Sequence, residues 1–236
     1  MKPVFIALDF ASQAEALDFL DQFPTTQQLA VKVGMELFYN AGPQLLQIFQ
    51  QRHIQVFLDL KLCDIPHTVQ QAAAQLAQQQ VAYLTVMALG GSKMIQAAQR
   101  GLAQGHQPGT PRPKLLAVTQ LTSMSEQQMQ QELQVQTSLP ESVTHLAQLA
   151  QANGADGVIA SALEDPKIHQ ATSATFLCIK PSIRLQTMTA DDQERVVTPQ
   201  QAAQLGSDGL VVGRPITRAA DPVALYQQIL QEWSAE

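Results

Sequence analysis

Ile54-Gln55-Val56-Phe57-Leu58-Asp59-Leu60-Lys61-Leu62-Cys63-Asp64-Ile65-Pro66-His67-Thr68 opens on an apolar run that reads as a buried strand and passes through three charges of alternating sign. It then enters a segment, Thr68 to Gln79, with helical spacing of its apolar residues. That is one strand followed by one helix. The unit recurs. Candidate strands are Val4 to Asp9, Leu29 to Gly34, Ile54 to Asp59, Tyr83 to Ala88, Lys114 to Gln120, Gly157 to Ala160, Thr175 to Ile179 and Gly209 to Gly213. Between and after them lie helical segments such as Ala14 to Gln22, Pro43 to Gln51, Lys93 to Ala103, Val143 to Gln151 and Val223 to Glu232. Apolar strands with few polar alternations imply burial on both faces. Eight strand–helix units in 236 residues therefore predict an α/β fold, a closed (β/α)8 TIM barrel forming a single domain over residues 1–236. An open doubly wound sheet is the competing architecture, but no Gly-x-Gly-x-x-Gly follows the first strand. Gly105 to Pro113, rich in proline and glycine, reads as an irregular connection into the fifth strand and not as a domain boundary.

Composition narrows the partners. The formal net charge of -6 argues against a nucleic-acid or membrane-surface partner, which would require a clustered basic patch. Any anionic ligand must be met by locally placed cations. The opening Met1-Lys2-Pro3-Val4-Phe5-Ile6-Ala7-Leu8-Asp9 is a short apolar run closed by a carboxylate, read as neither a secretion signal nor a membrane span. Cys63 and Cys178 lie far apart without a paired metal-ligand spacing, which suits thiols in a reducing, cytoplasmic setting. His53, His106, His145 and His169 sit in unrelated segments and read as surface or helix-end residues; His67 reads as a first-turn residue after Pro66. The many glutamines have no fixed period and read as solvated helix surface, and Trp233 as an anchor for the last helix.

In such a barrel the chemistry belongs at the C-terminal ends of the strands. Strand one ends in Asp9, strand two carries Lys32, strand three delivers Asp59 and Lys61, strand five runs into Thr119 to Ser123, and strand eight closes on Gly213-Arg214. Residues distant in sequence thus converge on one mouth. An ammonium among carboxylates is expensive to desolvate, so the cluster is better read as functional than as stabilising. The loops after strands seven and eight often bind phosphate, and here they supply Arg184 and the Gly213-Arg214 pair. Gly213 lets a backbone N–H approach an anion, and Arg214 offers a planar fork of donors. The stretch between Ile179 and Thr198 has little apolar content and reads as a lid over the phosphate.

Five blocks carry a family resemblance: Val31-Lys32-Val33-Gly34, Asp59-Leu60-Lys61-Leu62-Cys63-Asp64-Ile65-Pro66-x-Thr68, Ala117-Val118-Thr119-Gln120-Leu121-Thr122-Ser123, Asp191-Asp192-Gln193-x-Arg195 and Val211-Val212-Gly213-Arg214-Pro215-Ile216. In this order, and spread over nearly the whole chain, they resemble the orotidine 5'-phosphate decarboxylases. The resemblance implies conversion of orotidine 5'-monophosphate to uridine 5'-monophosphate and carbon dioxide, the last step of pyrimidine synthesis, with no cofactor and no metal. It implies Lys61 as the group that stabilises and protonates the C6 carbanion, in an alternating Lys32, Asp59, Lys61, Asp64 row. It further implies that Asp9 and Lys32 hold the ribose and Thr122 the pyrimidine amide edge, that Gln193 bridges phosphate and base, and that Arg184, Gly213 and Arg214 hold the phosphate. Asp64 and Thr68 would reach the neighbouring site of a homodimer.

Two departures stand out. The family pattern Thr-Pro-Gly-Ile-Arg reads Lys180-Pro181-Ser182-Ile183-Arg184, and the His expected at the end of strand four is Met87; packing changes with intact chemistry are expected there. Cys63, inside the motif, reads as a small packed thiol because the reaction needs no nucleophile. The rival readings are a metal-dependent sugar-phosphate decarboxylase or aldolase of the same barrel group, and a non-catalytic nucleotide-phosphate-binding barrel. The metal-dependent enzymes typically carry an acidic residue where this chain has Lys32.

Overall fold

The computed structural model describes residues 2–181, 183 and 197–234. Eight strands, β1 (Val4–Ala7), β2 (Ala30–Gly34), β3 (Gln55–Leu62), β4 (Tyr83–Met87), β5 (Lys114–Val118), β6 (Gly157–Ile159), β7 (Leu177–Lys180) and β8 (Gly209–Val212), close into one barrel in sequence order. Every neighbouring pair is parallel, including β8 with β1. The connections hold α1 (Gln13–Leu20), α2 (Met35–Ala41), α3 (Pro43–Gln51), α4 (Pro66–Ala77), α5 (Gly91–Gly105), α6 (Glu126–Glu132), α7 (Leu139–Ala152), α8 (Asp165–Ala171), α9 (Pro199–Gln204) and α10 (Arg214–Thr217), and α11 (Pro222–Ser234) follows the last strand. The TIM barrel expected from the strand–helix repeat is the observed fold.

The period of two along each strand sorts side chains between two cores. Phe5, Ala7, Ala30, Phe57, Tyr83, Leu116, Ile179 and Val211 fill the barrel. Phe5 meets Phe57 and Tyr83 edge-on at 5.3 Å between ring centres, which makes a solid floor. Neighbours one residue away, such as Val4, Ile6, Val31, Val33, Leu58, Leu84 and Leu210, face the helix layer. The helices follow their sequence signals. In α4, Pro66 occupies the first turn, where its missing N–H costs nothing, and Val69, Ala73, Ala74 and Ala77 are buried while Gln71 and Gln75 face out. Helices α4 and α5 pack unusually closely, since a Cβ at Gly101 or Gly105 would collide with the carbonyl oxygens of Gln70 and Ala74. Helix α11 is tied to the first strand by the Tyr226 hydroxyl, which donates to the Val4 carbonyl, and by the Trp233 indole, which donates to that of Lys2, both at 3.1 Å.

Three differences from the sequence reading have physical causes. Strand β3 continues past Asp59 to Leu62, because the alternation persists: Leu58, Leu60 and Leu62 pack outward while Asp59 and Lys61 face the barrel mouth. Strand β7 begins at Leu177 and includes Lys180, where Thr175 to Ile179 was expected. Short helices such as α6 are illegible in the pattern because a single buried side chain, Met129, sets no period. Among the described residues, no helix is long and apolar enough to cross a membrane.

Candidate active site

A cavity of about 250 Å³ opens at the C-terminal end of the strands, lined by Asp9, Lys32, Asp59, Lys61, Thr122, Gly213 and Arg214 among others. Its floor is apolar: Ala7, Phe57 and Val211 of the layer already described, together with Val118 and Ile159. A polar ring on an apolar base is the arrangement that orients a partly aromatic, charged ligand.

The charges are ordered. Lys61 Nζ donates to Asp59 Oδ2 at 2.7 Å. Lys32 Nζ lies 4.0 Å from that same oxygen and donates to Asp9 Oδ1 at 3.0 Å. Lys32 therefore belongs more closely to Asp9 than to Asp59, which refines the expected row. Gly34 has no room for a side chain without crowding Lys32 Nζ, which a Cβ would approach to 3.1 Å.

Lys61 sits in an irregular part of β3. Leu58 pairs with Leu84 and Leu62 with Val86, so four steps along β3 advance against two along β4. At this bulge Lys61 adopts φ +51°, a left-handed conformation that costs a non-glycine residue on the order of 1–3 kcal/mol and persists where surrounding contacts enforce it. Thr85, fully buried on β4, lies opposite. Its Oγ1 accepts the Lys61 backbone N–H at 2.8 Å and donates to Asp59 Oδ1 at 2.9 Å.

Asp64 and Thr68 are not part of this cavity. Both are exposed, and Asp64 Oδ1 accepts the N–H of Ile65 at 2.6 Å as the chain turns into α4. Among the described residues Lys61 has an ion pair with Asp59 and none with Asp64, so within one chain the ammonium is not held between two carboxylates. The cause is geometric: after the bulge the chain leaves the barrel wall, and Asp64 follows it outward. Cys63 is exposed here, not packed as the sequence suggested. Arg184 and Gln193 lie outside the described residues, as do positions 182 and 184–196 of the anticipated lid. Ile183 and Val197, on either side of 184–196, form a parallel bridge.

A family model described as "Orotidine 5'-phosphate decarboxylase / HUMPS family" matches residues 2–229. The chain belongs to that family. It is 53% identical over 234 residues to a protein of Latilactobacillus sakei subsp. sakei (strain 23K) named orotidine 5'-phosphate decarboxylase, covering 99% of this chain and 98% of that one. It is 51% identical over 234 residues to the protein of the same name from Lactiplantibacillus plantarum (strain ATCC BAA-793 / NCIMB 8826 / WCFS1), covering 99% of each. The crystal structure of orotidine 5'-phosphate decarboxylase from Lactobacillus acidophilus superposes with a TM-score of 0.91 at 42% identity, covering 100% of both chains.

Against this family background, sequence reasoning overlooked Thr85 and named Gln120 and Lys180 without assigning either a role. Thr85 carries no motif signal, since a lone threonine in an apolar strand reads as a β-former. Gln120, 3% exposed, lines the cavity and donates to Ser142 Oγ at 3.0 Å, which fixes its amide from behind. Lys180, one residue before the cavity-lining Pro181, points into the helix layer and forms a fully buried ion pair with Asp165 of α8. Burial pushes the Asp165 carboxyl up, opposed by Lys180 and by Ser207, whose hydroxyl donates to Asp165 Oδ2 at 2.5 Å. Near the N-terminal end of the barrel, His169, Cys178 and Asp208 also meet, their ligand-type atoms all within 4.8 Å of one another. There Asp208 Oδ2 accepts the Cys178 N–H at 2.9 Å, and burial pushes the Cys178 thiol up, so it keeps its proton.

Proposed function

We propose that this protein decarboxylates orotidine 5'-monophosphate to uridine 5'-monophosphate and carbon dioxide, with no metal and no organic cofactor. The observation that carries the reading is the Lys61 ammonium, 2.7 Å from Asp59 Oδ2 at the mouth of the barrel, with Arg214 and Gly213 across the same cavity. The relatives named for this reaction, at about half identity over almost the full chain, support it.

Loss of carbon dioxide from C6 leaves an electron pair in an in-plane orbital that the pyrimidine ring cannot delocalise. A fixed positive charge beside C6 lowers the barrier, because it is aimed at charge that develops only in the transition state. Lys61 supplies that charge and then its proton to C6, which leaves uridine 5'-monophosphate and a neutral amine. Asp59 holds Lys61 in place. Lys32 and Asp9 bind the ribose hydroxyls, Thr122 the amide edge of the base, and Gly213 and Arg214 the phosphate; Arg184 and Gln193 are assigned to phosphate and base on the family pattern. The two ammoniums occupy the space beside Asp9 and Asp59 that a divalent ion would need, which weighs against the sugar-phosphate chemistry of the metal-dependent relatives. The free thiols suit a reducing, cytoplasmic setting.

The direct test follows the absorbance of orotidine 5'-monophosphate in the presence of a metal chelator. Full activity is expected. Activity lost to the chelator and restored by magnesium would overturn the metal-free reading, and tight product binding without turnover would favour the binding-only one.

The active assembly in this proposal is a homodimer. Asp64, Ile65 and Thr68 are exposed beside the mouth, and Met35 (44% exposed), Tyr39 (72%), Ile65 (66%) and Leu89 (48%) follow the neighbouring strands β2, β3 and β4. An exposed apolar rim of this kind suits burial by a second copy. Asp64 and Thr68 would then complete the partner's site. Mixing Lys61→Ala with Asp64→Asn after subunit exchange should restore roughly a quarter of the parent's sites, since half the dimers are mixed and each mixed dimer keeps one intact site. A mixture as inactive as either variant would place Asp64 in its own chain's site.

A further inference from the structure

We infer that Thr85 is a positioning residue for the decarboxylation, acting through Lys61 and Asp59 without touching substrate; this rests on the function proposed above. Thr85 is 0% exposed and lies beneath the cavity, yet its hydroxyl is committed in both directions. A backbone N–H can only donate and an ionised carboxylate can only accept, so the roles are fixed: the hydroxyl oxygen accepts from Lys61 N, and its single proton goes to Asp59 Oδ1. One side chain thereby performs two tasks. It satisfies the Lys61 N–H where the β3–β4 register breaks and where Lys61 takes its left-handed conformation. It also fixes the rotation of the Asp59 carboxylate, turning Oδ2 toward Lys61 Nζ at 2.7 Å and Lys32 Nζ at 4.0 Å.

The consequence is selective. The proposed ligand-binding groups that follow β1, β5 and β8 do not depend on Thr85, whereas the placement of the Lys61 ammonium relative to C6 does. A displacement of about 1 Å at a reacting group can lower the rate roughly 100-fold. Removing the hydroxyl should therefore lower kcat and leave KM nearly unchanged, because the interaction lost is one made in the transition state.

The test compares Thr85→Val and Thr85→Ser with the parent under saturating and limiting orotidine 5'-monophosphate. Thr85→Val is expected to lower kcat by roughly 100-fold with KM within about threefold of the parent. Thr85→Ser, which keeps the hydroxyl and loses only a methyl group, is expected to stay within about threefold in kcat. If Thr85→Val does not fold, Thr85→Cys takes its place, since a thiol is a weak donor and acceptor, and its kcat should fall well below that of Thr85→Ser. A folded Val or Cys variant with parental kcat overturns the assignment, as does a Ser variant that loses as much as Val, which would make the effect one of packing. A parent inert toward orotidine 5'-monophosphate would instead overturn the function on which the inference rests.

Discussion

Lys61→Ala is expected to lower turnover of orotidine 5'-monophosphate by at least about 10⁴-fold, the largest functional effect of any single change in this chain. Two contributions vanish together. A positioned general acid typically gives 10²- to 10⁴-fold, and one preorganised electrostatic donor about 10²- to 10³-fold. No neighbour can substitute: Lys32 Nζ is held at Asp9 Oδ1 at 3.0 Å and lies 4.0 Å from Asp59 Oδ2, where Lys61 Nζ lies at 2.7 Å. Binding should survive. Gly213 and Arg214, proposed for the phosphate, and Thr122, proposed for the base, come from other strands and loops, so affinity for uridine 5'-monophosphate should change by less than about tenfold. Single-turnover kinetics together with calorimetric titration of the product separates the two quantities. A variant that turns over at the parental rate would remove Lys61 from the mechanism; one that no longer binds product would show that the change had disrupted the site as a whole.

The largest effect on stability is expected at Lys180, outside the cavity. Lys180 and Asp165 are both 0% exposed and form an ion pair, with Lys180 Nζ also donating to the Ser161 carbonyl at 3.4 Å. Replacing such a pair by apolar groups can be neutral, but removing one partner leaves the other charge buried and uncompensated, at a cost of about 3–5 kcal/mol. Lys180→Met should therefore unfold roughly 10 °C lower than the parent. It should also change how stability depends on pH. Burial already holds the Asp165 carboxyl above its ordinary value, and Lys180 is the main influence opposing it. Without Lys180 the folded value rises further above the unfolded one. A carboxyl raised in the folded state keeps the folded protein proton-rich relative to the unfolded chain, so stability falls as pH rises from about 4 through the raised value. Lys180→Met should thus lose more stability at pH 7 than at pH 4.5, and a second change, Asp165→Leu, should recover most of it. Chemical denaturation at the two pH values reads both effects. A single variant as stable as the parent at pH 7 would mean that the pair contributes nothing net.

The two substitutions differ in how visible their sites are in the sequence. Lys61 announces itself: an Asp-x-Lys-x-x-Asp run after an apolar strand has no economical structural explanation, and the family blocks around it are dense. Lys180 is visible only as a departure from the Thr-Pro-Gly-Ile-Arg pattern, and its partner Asp165 lies 15 residues away on a short helix with no periodic signal.

The barrel itself was legible because each strand–helix unit repeats the same two periodicities, and parallel strands buried on both faces leave few other architectures. The mouth followed from it, since strand ends are fixed once strands are placed, and Asp9, Lys32, Asp59, Lys61, Thr122, Gly213 and Arg214 do line one cavity. Tertiary structure alone decided the rest. Whether Asp64 faces Lys61 depends on the path of three residues after a β-bulge, and that bulge arises from a register shift against β4, a pairing no local pattern encodes. Whether Thr85 is a mere strand-former or the hydroxyl that fixes Lys61 and Asp59 depends on the same shift. Sequence determines which groups arrive at the mouth of the barrel; cross-strand register, set by packing between segments distant along the chain, determines which of them touch.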